Sequence, residues 1–422
     1  MPNPTRVAVI GSGVSGLVAA YVLSRTHAVT LYEADVRAGG HSHTHDVTLG
    51  SQTLQIDSGF IVHNDRTYPT LLRLFAELDV PTQATDMSMS VWHERDRISY
   101  AGGRGASGIF ADPRTVTRPA YLRMLRDVRR FHQAARTFLD GDSGANPDTS
   151  LRDWLAPQKF SSAFTEWFIQ PLVAAVWSCD PEHSLDYPAR SLLTFLDHHG
   201  MLTVTGSPTW RTVVGGSRVY VDRVLAHIDE VKLSTPVASV RRTASGVEVT
   251  ARDGHTAEYA AAVVATHPHQ ALSMLAEPTA SEQAVLGAIT YSVNQAQLHT
   301  DDSVLPRRRG ARGSWNYLIP KTPTDGVLVS YDLTRLMRLP SPDGKRVLVT
   351  LNGSRRIDPD RVIAEMTYEH PLYTTESVAA QQKLPGLSDD RIAFAGAYHG
   401  WGFHEDGALS GLRAAERLGG AW

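Results

Sequence analysis

Three glycines, Gly11, Gly13 and Gly16, stand in the order Gly-x-Gly-x-x-Gly, and Glu33 follows 17 residues after the last of them. That spacing suits a pyrophosphate. The first glycine makes a tight turn, the second removes the side chain that would block the anion, and the third lets a following helix pack against its strand. Val14 and Ser15 then offer the N–H groups of the helix N-terminus, and a carboxylate at Glu33 can accept the hydroxyls of a ribose. Such a site needs a strand before the turn, a helix after it and a second strand to carry the acid. The chain supplies each in turn: an apolar run over Arg6 to Ile10, helical spacing of small and apolar residues over 14–23, and a β pattern over 29–32. The expected unit is a parallel βαβ buried on both faces, and the expected ligand is a dinucleotide.

Other patterns are weaker. Gly103, Gly105 and Gly108 repeat the glycine spacing, but Asp112-Pro113 breaks any helix after them and no acid closes another strand, so a loop is expected there. His41, His43 and His45 alternate and would share one face of a strand; no further ligand is tied to them by spacing, and no metal site is expected. Cys179 is the single cysteine, which excludes an intramolecular disulfide or a thiolate cluster. Trp177 is expected to pack the interior and not to touch a ligand.

Residues 104–136 hold eight arginines, Arg104, Arg114, Arg118, Arg123, Arg126, Arg129, Arg130 and Arg136, against Asp112 and Asp127. Arg123, Arg126 and Arg130 share a helix face, with Tyr121, Leu122, Leu125 and Val128 expected elsewhere. Such a stripe is ordinarily solvated surface. The sharper alternative is a dock for anionic lipid headgroups or an acidic carrier protein.

The remaining elements form the frame. A helix is expected over 69–78, a hairpin over 88–93 and 98–100 around Asp96-Arg97, and a long helix over 119–139 with a turn at 140–146. A strand pair over 231–249 turns at Ser245-Gly246, and strands follow at 260–265, 327–331, 347–351 and 391–396, before a helix over 407–418. The chain has 422 residues, 41 basic and 44 acidic side chains and a net charge of −3, which argues against a nucleic-acid partner. With 42% hydrophobic residues it can bury a sizeable core. No basic segment leads into an apolar stretch at the N-terminus and no run of about 20 apolar residues occurs, so the expected location is the cytoplasm, with peripheral membrane contact if the arginines dock on lipid.

The segment after Glu33 and Ala34, Arg37-Ala38-Gly39-Gly40-His41-Ser42, resembles the Arg-x-Gly-Gly-Arg element of the flavin amine oxidase superfamily, which includes monoamine oxidases, phytoene desaturases and protoporphyrinogen oxidases. His41 stands in place of the final arginine. Later segments resemble the same superfamily in the same order: Gly215-Gly216 with Val219-Tyr220, Val237, Val263-Val264-Ala265-Thr266 before Pro268, and Phe394-Ala395-Gly396 with Asp406-Gly407-Ala408. Ala397 stands where many members carry an acid. The resemblance implies noncovalent FAD, with Gly59, Phe60 and Ile61 lining the flavin and the last helix aiming its N-terminus at the isoalloxazine. His404 then occupies the position of a cage aromatic, with Tyr398, Trp401 and Phe403 beside it. His404 with Glu405, and His63 with Asn64, are the candidates for proton handling or substrate orientation.

Asp57 to Asn64, Ser314 to Tyr317, Ser330 to Leu336 and Gly402 to Gly407 resemble, more narrowly, bacterial flavin-containing amine oxidoreductases often encoded beside cyclopropane-fatty-acid synthase-like methyltransferases. That resemblance implies work on fatty acyl chains. The expected fold is α/β: a Rossmann-type FAD-binding domain from 1–80, 205–290 and 385–422, with a mixed-sheet α+β substrate domain from 81–204 and 291–384. The expected reaction is removal of a hydride from a C–H bond of a hydrophobic substrate, a lipid desaturase or oxidase. Amine oxidation, redox-neutral isomerisation of a double bond and a non-enzymatic role for FAD stay open.

Overall fold

A computed structural model describes residues 5–141, 149–203, 206–322, 326–341 and 344–422. Most of the turn expected at 140–146 lies outside the described residues.

Arg6–Ile10 forms the central strand of a five-stranded parallel sheet, and every residue of it after Arg6 is buried. It pairs with Ala28–Tyr32 on one side and Ala261–Val264 on the other; Glu230–Lys232 and Ile392–Phe394 are the edges. Short runs of small and β-branched residues suit strands covered on both faces. Five strands from three widely separated stretches of chain therefore build one sheet. Val14–Leu23 is buried along its whole length because it is sandwiched between this sheet and the C-terminal helix His404–Arg417. Gly411 permits the contact: a Cβ there would lie 2.1 Å from the Ser15 carbonyl oxygen.

The second layer is a seven-stranded mixed sheet in the order Val362–Pro371, Tyr291–His299, Leu348–Leu351, Val329–Asp332, Trp315–Ile319, Met89–His93, Ile98–Gly102. All its pairings are antiparallel except that of Trp315–Ile319 with Met89–His93. Helices cover it, the longest being Pro119–Asp140, whose stripe of Tyr121, Met124, Phe131 and Ala135 enters the core.

Three expectations need correction. The pair expected over 231–249 is two structures. Val231 and Lys232 belong to the edge of the parallel sheet, the chain then bends at Ser234 (φ 51°) and Pro236, and the antiparallel pair starts at Val237. The segment at Gly103, Gly105 and Gly108 contains a one-turn helix, Gly105–Ile109, so it is not a loop throughout; it comes after a strand of the mixed sheet, away from the nucleotide turn. Leu122 is 44% exposed on the arginine side of its helix. The buried stripe of that helix is narrow, and 122 falls outside it.

Candidate active site

Where the C-terminal ends of the parallel strands face the mixed sheet, a cavity of about 740 Å³ opens. Its size lies in the upper part of the range for cofactor and ligand sites. Gly11, Gly13, Val14 and Ser15 line one end. A Cβ added at Gly13 would meet no atom within 4 Å, so the turn leaves open space where an anion would sit. Gly16 faces away from the cavity and backs the turn, its position for a Cβ filled by the Gly11 carbonyl.

Glu33 and Ala34 line the same end. One carboxylate oxygen of Glu33 accepts the Ser12 N–H at 3.0 Å and the Ser12 hydroxyl, and the other accepts the Asp35 N–H at 2.8 Å. Ser12 also accepts the Gly39 N–H at 3.0 Å. Sequence reasoning passed over Ser12, whose small polar side chain is what couples the glycine turn to the acid and to the second glycine pair. Gly40, His41, Arg37, Val237 and Thr266 complete this end, while Gly39 itself is turned inward. Arg37 donates to the Gly40 carbonyl at 2.8 Å, bracing its own loop.

His41 does not share a face with His43 and His45. Those two rings lie 4.0 Å apart, while the His41 ring packs instead 4.9 Å from Tyr368 and 5.7 Å from His370. Burial holds the His41 imidazole neutral, well below its usual pKa. Behind it Asp57 is buried and accepts the Ser217 N–H at 2.8 Å, the Ser217 hydroxyl at 2.7 Å and the Thr44 hydroxyl at 2.6 Å, which pins the turn after Gly215-Gly216.

The other end is aromatic. Phe195 stacks on Phe403 at 4.8 Å and on His199 at 4.0 Å; Trp177 packs 4.8 Å from Phe195 and donates its indole N–H to the Trp401 carbonyl at 3.1 Å. Met201 and Trp210 extend this wall. Trp177 packs into the core as expected and also borders the cavity. Gly59 lets the main chain pass close to His41, and Phe60 and Ile61 line the middle with Gly396. The Phe60 ring lies 3.6 Å above His404, nearly parallel to it.

His404 lines the cavity, and its Nε2 is 3.0 Å from both the Ser42 and Tyr220 hydroxyls. Burial pushes its pKa down to about 3, so the ring is neutral. Ser42, off the cavity wall, is thus a partner of His404. The other proton-handling candidates face elsewhere. Glu405 accepts the Thr70 and Leu71 N–H groups at 2.9 and 3.0 Å, capping the helix Pro69–Glu77. His63 is buried beside Phe75 and Tyr68, off the cavity wall, with neither ring nitrogen hydrogen-bonded among the described residues. Asn64 accepts the Arg66 and Thr67 N–H groups at 2.9 and 2.8 Å and closes a turn. Asp406 accepts the Phe403 N–H at 2.9 Å at the start of its own helix, and burial raises its pKa to about 7. Gly407 and Ala408 pack inward, Gly407 against Val14.

A Glu405→Ala protein should therefore lose about 1–2 kcal/mol of stability with the loss of a helix cap, while turnover changes only a few-fold. A proton-handling role would instead cost roughly 10²–10⁴-fold in turnover, and thermal melts beside turnover rates separate the two.

The acids lining the cavity, among the described residues, are Glu33, Asp35 and Glu369. None lies in the aromatic wall. Tyr398 borders the cavity, and its hydroxyl is buried without a hydrogen-bond partner among the described residues.

The family model for flavin-containing amine oxidoreductases matches residues 14–419. Among curated proteins, an L-amino acid dehydrogenase of Synechocystis is 24% identical over 274 residues, which is 62% of this chain and 56% of that protein. The match thus spans little more than half of that relative. Among solved structures, a putrescine oxidase variant superposes with a TM-score of 0.70 at 16% identity, over 99% of both chains. A conjugated-linoleic-acid-producing fatty acid isomerase from P. acnes does so with a TM-score of 0.70 at 16% identity, over 98% of both.

Proposed function

Because this chain belongs to the flavin-containing amine oxidoreductase family and is an FAD-dependent oxidoreductase, we propose that it dehydrogenates a neutral, apolar substrate, and specifically a fatty acyl chain. The observation that carries this reading is the aromatic wall of Trp177, Phe195, Trp401 and Phe403 with no carboxylate in it. An ammonium group there would have ring faces to attract it but no carboxylate to neutralise it, whereas an alkyl chain gains from burial alone. The fatty acid isomerase of the same fold supports an acyl substrate on a frame of this kind.

The residues present fit the cofactor. The open turn at Gly13 and the acid Glu33 held by Ser12 are what a dinucleotide would use. Gly13, Val14 and Ser15 would hold the pyrophosphate, and Glu33 the ribose. When bound, FAD supplies a two-electron acceptor for hydride. The chain's own part is to exclude water and to orient the substrate with the aromatic wall. Formation of a double bond also releases a proton from the neighbouring carbon. His404, neutral and on the wall with its Nε2 against the Ser42 and Tyr220 hydroxyls, is the candidate to take it; both nitrogens of His199 are engaged by the Phe195 carbonyl and the Thr67 hydroxyl.

Anaerobic mixing of the FAD-loaded protein with long-chain acyl lipids, and separately with an amine panel, tests this. Lipid should bleach the flavin spectrum and yield a product lacking two hydrogens. Bleaching by amines and not by lipid overturns the reading. Lipid converted with no loss of hydrogen replaces it with isomerisation.

The arginine face supports contact with an anionic lipid surface, as such a substrate would require. Arg123, Arg126 and Arg129 are exposed and make no ion pair among the described residues, whereas Arg130 is paired with Asp127 and Arg114 with Asp112. Exposed Phe110, Val116 and Leu122 come from the same stretch, giving the apolar and cationic signals that together anchor a protein at a bilayer. Sedimentation with anionic vesicles should fall with added salt, and Arg126→Glu with Arg129→Glu should weaken it at least tenfold. Binding indifferent to salt and to both reversals, or binding only to an acidic carrier protein, overturns it.

A further inference from the structure

We infer that His267, His269 and Glu369 form a site for one divalent transition-metal ion of the zinc type. The amino-acid spacing predicts no metal, because the ligands come from distant segments. His267 and His269 open the helix Pro268–Met274, which comes after a strand of the parallel sheet; Glu369 lies on Val362–Pro371, the edge strand of the mixed sheet. The two imidazole nitrogens and a carboxylate oxygen all lie within 4.8 Å of one another.

Both imidazoles aim at the same oxygen. His267 Nδ1 is 2.7 Å from Glu369 Oε2, and His269 Nε2 is 3.6 Å from it. A hydrogen bond accounts for the first distance. It does not account for the second, which exceeds hydrogen-bond range yet suits two ligands of one ion. With zinc bonds of about 2.0–2.2 Å, neighbouring ligands of a tetrahedral site stand about 3.3 Å apart. Two nitrogens with one carboxylate oxygen select zinc-like ions over magnesium or calcium, which prefer all-oxygen sets.

The surroundings hold the ligands in place. Tyr291 stacks on His267 at 4.5 Å, and the Gln270 side chain accepts the His267 N–H at 3.2 Å, fixing the turn that presents both histidines. His267 and Glu369 line the main cavity and His269 faces the adjoining small one, so the ion would sit at the partition with its remaining positions open to water or to a ligand. An ion there ties the nucleotide-binding sheet to the mixed sheet across the cavity. It should therefore raise thermal stability as well as bind.

The test is equilibrium dialysis of the FAD-loaded, tag-free protein against zinc alone, with metal analysis and a thermal melt of the retained protein. One equivalent of zinc per chain should be retained, with a higher melting temperature that EDTA reverses. His269→Ala alters a half-exposed residue and should leave the fold intact while weakening retention at least tenfold; Glu369→Gln should do the same. Absence of stoichiometric zinc, undiminished retention by either variant, or equal retention of magnesium each overturns the proposal.

Discussion

A Gly13→Asp protein should fold as the parent does and purify without yellow colour. Space for the side chain exists, since a Cβ at this position meets nothing within 4 Å, and the backbone there (φ −61°, ψ 174°) is ordinary for any residue. The new carboxylate would nevertheless stand at the glycine turn, where the N-terminus of Val14–Leu23 is to receive a pyrophosphate. It would take the anion's place and repel it. Replacing favourable helix-end contacts by like-charge repulsion in a partly enclosed site costs several kcal/mol, and about 3 kcal/mol already corresponds to a hundredfold loss of affinity. Gly13→Ala, which adds bulk but no charge, should fall between. Flavin content by absorbance, affinity by titration of the apoprotein and the melting temperature of the apoprotein check this together. Retained colour in Gly13→Asp would place the cofactor elsewhere, and a collapsed melting temperature would show the turn to be a folding element first.

Acid should destabilise the protein between pH 6.5 and 4. Burial lowers the imidazole pKa of His63, His199 and His299 to about 4 and of His404 to about 3. In the unfolded chain each titrates near 6.5. Across that window the unfolded state binds more protons, so stability falls as pH falls. Asp57 and Asp406 act in the opposite sense: burial raises them to about 6 and about 7, the folded state takes up their protons first, and each adds stability on acidification. The imidazoles held down by burial, among them also His43, His132, His370 and His399, outnumber these two carboxyls, and each unmatched proton is worth about 1.4 kcal/mol per pH unit. Against a total stability of roughly 5–15 kcal/mol that is a large fraction. The urea midpoint should decline steadily through this range. His63→Phe should flatten the decline by about one proton, because the ring sits among Phe60, Tyr68 and Phe75 with no hydrogen bond to lose. A midpoint constant from pH 7 to 5 would show that these histidines are charged in the folded protein.

The nucleotide turn was legible because its information is local. A strand, a glycine turn, a helix and an acid at the end of the next strand are each set by neighbours in the chain, and Arg6–Ile10 and Val14–Leu23 have the expected bounds. The edges of the hairpin around Asp96-Arg97 and of the helix Pro69–Glu77 moved by only a residue or two for the same reason. Ser12 was missed although it sits inside the motif, since the spacing rule names only glycines. His404 and Glu405 mark the limit. Adjacent residues on a helix point about 100° apart, so one lines the cavity and the other caps the helix Pro69–Glu77.

The amino-acid order alone determined the class of fold, the glycine turn with its acid, and the restriction of any thiol chemistry to Cys179. Folding in three dimensions decided which side chains meet. Trp177, Phe195 and Phe403 come from separate segments and form one wall; His267 and His269 at a helix start meet Glu369 on an edge strand; His63 and Asn64, beside a lining segment, turn away from the cavity. Backbone hydrogen bonding and hydrophobic period repeat over a few residues and can be read along a chain. A side chain's partners depend on packing between elements far apart in sequence, and that is settled only when the two sheets close on each other.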